Sequence, residues 1–152
     1  MSIAAETSLA VIRGELEAVA AYVSASGLEL DCAGLCSENL RFVVKFLNAG
    51  DVAFHVEFEC VDYPLYPPVV EFVNAGRTQR GLRNLYPQGF HTSPCICMRY
   101  NRKAYAERGG PHGDWRLLDW RLPSGNGVGI DSLALMVSDL HSKIRHSNGT
   151  MA

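Results

Sequence analysis

No apolar run in this chain approaches the roughly 20 residues that a membrane-spanning helix requires, and the N-terminus carries Glu6 where a secretory signal would carry positive charge. A cytoplasmic protein with no membrane partner is the expectation. A broad basic face is missing too. Formal net charge is −2 and the pI about 6.2, with Lys and Arg dispersed except for Arg99, Arg102 and Lys103. That distribution excludes nucleic-acid binding as the main activity. There is no internal repeat and no low-complexity tract. Five cysteines, at 32, 36, 60, 95 and 97, make an odd number. A chain of 152 residues buries about two-thirds of its unfolded surface without cross-links, so free thiols and a single domain are expected.

What is present is a succession of clear periodicities followed by a long stretch with none. Over residues 5–24, Ile12, Leu16, Val19 and Val23 recur at steps of four, three and four, the pattern of one buried helix face, and Gly27 supplies a stop. Residues 28–35, 39–47 and 52–61 read as strands, with Asn48-Ala49-Gly50-Asp51 as a hairpin turn between the last two. In the third, Phe54, Val56, Phe58 and Cys60 alternate with His55, Glu57 and Glu59, so one face is buried and the other faces water. Three prolines in five positions, Pro64, Pro67 and Pro68, cannot sit in a helix interior or a central strand. They mark a rigid corner leading into a fourth strand over 69–73. The fold class is therefore α+β: a helix, a four-strand antiparallel meander, a long loop and a C-terminal helix.

Residues 74–115 show no sustained periodicity, which in a compact domain points to a functional segment. Residues 117–122 look strand-like. Asp131 is a fit N-cap for a last helix with Leu133, Met136, Val137, Leu140 and Ile144 on one face. One domain over 1–147 is expected, with 148–152 as a flexible tail. The run Gly125-Asn126-Gly127-Val128-Gly129 before that helix could suggest a phosphate cradle. Its glycine spacing misses the dinucleotide fingerprint, and a flexible loop is the better account.

The segment Asp-Tyr-Pro-Leu-Tyr-Pro-Pro-Val-Val-Glu-Phe over 62–72 is followed, twenty-five residues on, by Cys97 in the run Ile-Cys-Met. Together these resemble the ubiquitin-conjugating enzyme family, in which a Tyr-Pro, Pro-Pro-x-Val-x-Phe segment precedes a thioester-forming cysteine in Ile-Cys-Leu. Trp115 or Trp120, then Leu122-Pro123 and a helix, is similar to the elements that follow the cysteine there. The resemblance covers roughly residues 5 to 147 and implies that the family's extra C-terminal helices are absent. It implies Cys97 as nucleophile and no cofactor. It also implies as partners an activating enzyme, a ubiquitin-like protein and the amine of a target protein.

Chemistry bears on the same residues. A thiolate is the nucleophile, and positive charge from Arg99, Arg102 and Lys103 would lower the thiol pKa. Cys95 is a second thiol, either a substitute nucleophile, a resolving partner, a metal ligand or a loop residue. The family's His-Pro-Asn is missing: His91 stands only six residues before Cys97 and is followed by Thr92-Ser93. Oxyanion stabilisation, typically worth 10²–10³ in rate, would have to come from Asn84, Asn101 or His91. This divergent loop looks more like the bacterial relatives encoded with activating enzymes and ubiquitin-like proteins, some of which act in defence against phage. Two other readings compete. One is an inactive module of the same fold that binds a ubiquitin-like protein or activating enzyme. The other is a zinc-stabilised interaction domain built on His91, Cys95, Cys97 and His112, although no usual zinc spacing is present.

Overall fold

The computed structural model describes residues 1–123 and 127–151. It is α+β, with helix α1 (Ala5–Ala25), strands β1 (Glu29–Asp31), β2 (Arg41–Leu47), β3 (Ala53–Glu59) and β4 (Val69–Val73), and helix α2 (Leu133–Arg145). The strands lie side by side in chain order, all antiparallel. Ile12, Leu16, Val19 and Val23 form the buried stripe of α1, as their spacing predicts. Gly27, at φ +68°, ends the helix: Leu28 N–H bonds Val23 O at 2.9 Å and Gly27 N–H bonds Ser24 O, the two closures of a Schellman motif.

The sheet's inner face carries the core. Phe42 opposes Phe58, Val44 opposes Val56 and Phe46 opposes Phe54, while Val56 and Phe58 pair with Phe72 and Val70 of β4. All are buried, and α1 and α2 cover them. On the outer face His55 and Glu59 are half-exposed, but Glu57 is buried at 5 % exposure. The alternation placed it in water. Its carboxylate instead accepts contacts at 3.3–3.4 Å from Arg41, Arg77 and Arg80, two of which come from the loop after β4. Burial of a charge is tolerable when it is paired in this way.

Several boundaries differ from the sequence reading for local reasons. The first strand keeps only three residues, because the chain after Asp31 turns at once (Leu35 N–H to Cys32 O). Residues 117–119 form a single 3₁₀ turn, not a strand, which brings Leu117 and Trp120 inward and leaves Leu118 and Leu122 exposed. The N-cap of α2 is Ser132, one residue past Asp131; its Oγ accepts from Leu135 N–H at 3.3 Å. Residues 148–151 are not a free tail. Gly149 O accepts from Gln88 N–H, Met151 N–H bonds Tyr86 O, and Met151 is buried. The hydrophobic end of Met151 together with Tyr86 O and Gln88 N–H holds this segment.

The glycine run before α2 lies partly at 124–126, outside the described residues. Gly129 is there for close approach: a Cβ would stand 2.3 Å from Arg121 O. The helix N-terminus already has its anion, because Glu15 Oε1 accepts from Leu133 N–H at 2.9 Å and Glu15 Oε2 accepts from the buried Tyr63 hydroxyl at 2.6 Å. One carboxylate thus ties α1, the proline corner and α2 together and satisfies an orphan donor at the positive end of a helix. Glu15→Ala should lower stability by about 2–3 kcal/mol, read from the urea midpoint, with Glu15→Gln recovering part of it.

Candidate active site

The loop after β4 is held down before it reaches the cysteines. Tyr86 and Phe90 pack on Phe72 of β4, with ring centroids 4.7 and 5.2 Å from it. His91 and Cys95 then pair as an isolated antiparallel bridge around the turn Thr92-Ser93-Pro94. Next comes a tight reversal. Met98 N–H bonds Ile96 O at 2.9 Å, a three-residue turn with Cys97 at its apex. Ile96 is buried, 1 % exposed, and anchors one side of the turn. Cys97 is left half-buried.

Asn101 fixes that reversal from beneath. Its side chain is fully buried and makes three bonds: Oδ1 accepts from Val70 N–H at 2.9 Å and Lys103 N–H at 3.2 Å, and Nδ2 donates to Ile96 O at 2.9 Å. It clips the Cys97 turn to β4. With one amide N–H on Ile96 O and the side chain 0 % exposed, Asn101 serves to position the turn and does not face an incoming oxyanion. Asn84 is exposed on the single turn Arg83–Leu85 and does not line the cleft at Cys97.

That cleft has a volume of about 380 Å³. Phe90, Ile96 and Met98 form apolar wall, and Gln88, His91, Lys143 and His146 supply polar groups around Cys97. His91 is exposed at its rim, its Nδ1 held in its own turn, 3.0 Å from Ser93 O and 3.2 Å from Ser93 N. Cys95 lies buried in the same wall. The sequence reading did not find Lys143, His146 and Gln88. A usable signal exists in the polar positions 143, 146 and 147, which alternate with buried Leu140 and Ile144 at the end of α2.

The two thiols are electrostatically unequal. Burial pushes the Cys97 thiol above its ordinary value, and the hydrogen bond from Cys95 opposes that rise. Cys95 is pushed up to about 12, by burial first, then by the charge of Cys97 and the hydrogen bond it gives to Cys97. The proton therefore stays on Cys95 and the thiolate forms on Cys97. The basic cluster plays a different part from the one expected. Arg102 lies 4.6 Å over the Tyr66 ring and donates to Val61 O at 3.2 Å, Lys103 is paired with Glu71, and Arg99 lies over Trp115 at 5.2 Å. Alkylation of Cys97 should accordingly accelerate as pH rises toward 9 and beyond, with Cys95 modified only at still higher pH. Stepwise iodoacetamide labelling with peptide mapping checks the order, and Cys95→Ala should move the Cys97 profile to higher pH by removing the donor.

His112 does not join the cysteines: its ring stacks on Trp115 at 3.6 Å and it does not line the cleft. Among the described residues no group of three or more His, Cys, Asp or Glu side chains is arranged to hold a metal ion. His91, Cys95, Cys97 and His112 thus do not form the zinc-ligand set expected from their residue types. No helix among the described residues is long and apolar enough to cross a membrane. Comparisons with protein-family models, with curated proteins and with solved structures find no match to this chain.

Proposed function

We propose that this chain is a carrier enzyme of the ubiquitin-conjugating kind, which accepts a ubiquitin-like C-terminus from an activating enzyme as a thioester on Cys97 and transfers it to an amine. The observation that carries this reading is Cys97 at the apex of a clipped turn in an open cleft, with a neighbouring thiol as proton donor. The order helix, meander, proline corner, cysteine loop and closing helix supports it. So does Trp120, whose Nε1 donates to Leu65 O of the proline corner at 3.2 Å and whose ring lies 6.2 Å from that of Tyr63. Thioester exchange between thiols is close to thermoneutral, so position and partial exclusion of water are the main requirements. The short His91 to Cys97 spacing and the missing His-Pro-Asn support a bacterial-type member, of the sort that includes antiphage conjugation systems.

A second reading is an inactive module of the same fold, holding a ubiquitin-like protein or activating enzyme without forming a thioester. The commitment of Asn101 to Ile96 O and the raised Cys97 pKa favour it. A charging reaction separates the two. The chain is mixed with ATP, magnesium, and the activating enzyme and ubiquitin-like protein encoded beside its gene, then run on a non-reducing gel. A new band removed by reductant is the expected result for the carrier. Charging of the activating enzyme with no band on this chain would favour the binding module.

A further inference from the structure

We propose that Lys143 is an internal acyl acceptor, taking as an amide the group that Cys97 carries as a thioester, and so a self-modification site. The inference rests on the carrier reading and adds an acceptor to it.

The chain has three lysines, at 45, 103 and 143. Lys45 lies on the outer face of the sheet, paired with Glu29 at 3.7 Å. Lys103 is held by Glu71 of β4. Lys143 alone of the three lines the Cys97 cleft, brought there by the last turn of α2. Its ammonium is held 2.6 Å from Asp139 Oδ2 one helical turn earlier. Asp139 is fixed in turn by Tyr100, a buried side chain whose hydroxyl donates to Oδ2 at 2.8 Å. Burial and the Asp139 charge raise the Tyr100 pKa, so this hydroxyl keeps its proton and remains a donor. Tyr100 also follows the cysteine turn by three residues, and its neighbour Asn101 clips that turn. One short segment therefore positions both the thiol and the carboxylate that orients the amine.

The step balances without an added reagent. The Lys143 ammonium gives one proton to Asp139 or water, and the neutral amine attacks the thioester carbonyl. The C–N bond forms, the C–S bond breaks with the electron pair leaving on Cys97 Sγ, and the amine's second proton restores the Cys97 thiol. Placement of amine and thioester in one cleft replaces an encounter in solution, an advantage that can reach many orders of magnitude for well-oriented pairs. A C-terminal tail is an acyl group suited to this cleft, whose lining includes the apolar Phe90 and Met98 and the polar His146.

The test uses the full chain and a small probe, the mercaptoethanesulfonate thioester of glycylglycine, at mildly alkaline pH. Acyl on Cys97 is read by intact mass before a wash with excess thiol, and amides are mapped by peptide mass after it. The proposal expects glycylglycine on Lys143 at about tenfold or more above Lys45 and Lys103, lost in Cys97→Ala. Lys143→Arg should hold the acyl group on Cys97, and Asp139→Asn should slow its loss. Equal labelling of Lys143 in Cys97→Ala would mean direct acylation and would overturn the proposal. Acyl retained on Cys97 with Lys143 unmodified would overturn the acceptor while leaving the carrier. No acyl on Cys97 of Lys143→Arg before the thiol wash, together with no amide on Lys143 of the wild type, would sink both.

Discussion

Cys97→Ala is expected to abolish the reductant-sensitive adduct, leaving charging below about one-thousandth of wild type, because on the proposed carrier reading it removes the nucleophile and with it the step itself. The fold should hardly register the change. Cys97 is half-exposed at the apex of a turn whose hydrogen bonds are made by Ile96, Met98 and Asn101 backbone and amide groups, not by the thiol. A stability change within about 1 kcal/mol is expected. Cys95→Ala separates the roles of the two thiols. Its loss deprives the Cys97 thiolate of a hydrogen bond, so charging should slow by about tenfold and persist. Intact mass after charging reads both variants. A Cys95→Ala protein as dead as Cys97→Ala would reverse the assignment.

Asn101→Ala is expected to give the largest loss of stability of any single substitution near the site. The alanine leaves the buried Val70 N–H and the part-buried Lys103 N–H without their partner and removes one of the two bonds to Ile96 O. Each such orphan costs about 1–3 kcal/mol, so about 3–5 kcal/mol is expected, a large fraction of the 5–15 kcal/mol that holds a typical domain. Equilibrium urea unfolding measures it. The Cys97 turn should loosen as well, which pH-stepped alkylation detects as a faster, less selective reaction of both thiols. A loss under about 1 kcal/mol would mean that Asn101 does not clip the loop.

How much of this was legible depended on whether a signal was periodic. The α1 stripe, the alternation of Phe54, Val56 and Phe58, and the Leu133 to Ile144 face all follow from spacing and lie in the core. Glu57 followed the alternation but not its consequence, since the arginines that cover it arrive from a loop twenty residues away. The same limit governs the site. Cys97 could be proposed from its neighbours, and Cys95 set beside it. That Asn101 points inward, that Arg102 and Lys103 are engaged elsewhere, and that α2 delivers Lys143 and His146 to the cleft are tertiary facts. Residues 148–151 show the point again: nothing periodic marks them, yet Met151 and the Gly149 carbonyl pin them beside Tyr86 and Gln88.

The most direct test of the account is to locate the bond. After the charging reaction, the adduct is digested under non-reducing, mildly acidic conditions that preserve thioesters, and the modified peptide is sequenced by mass spectrometry. A ubiquitin-like C-terminal remnant on Cys97, released by thiol, with Cys95 unmodified, is the expected result. A remnant on Cys95, or a charged activating enzyme beside an unmodified chain, would contradict it.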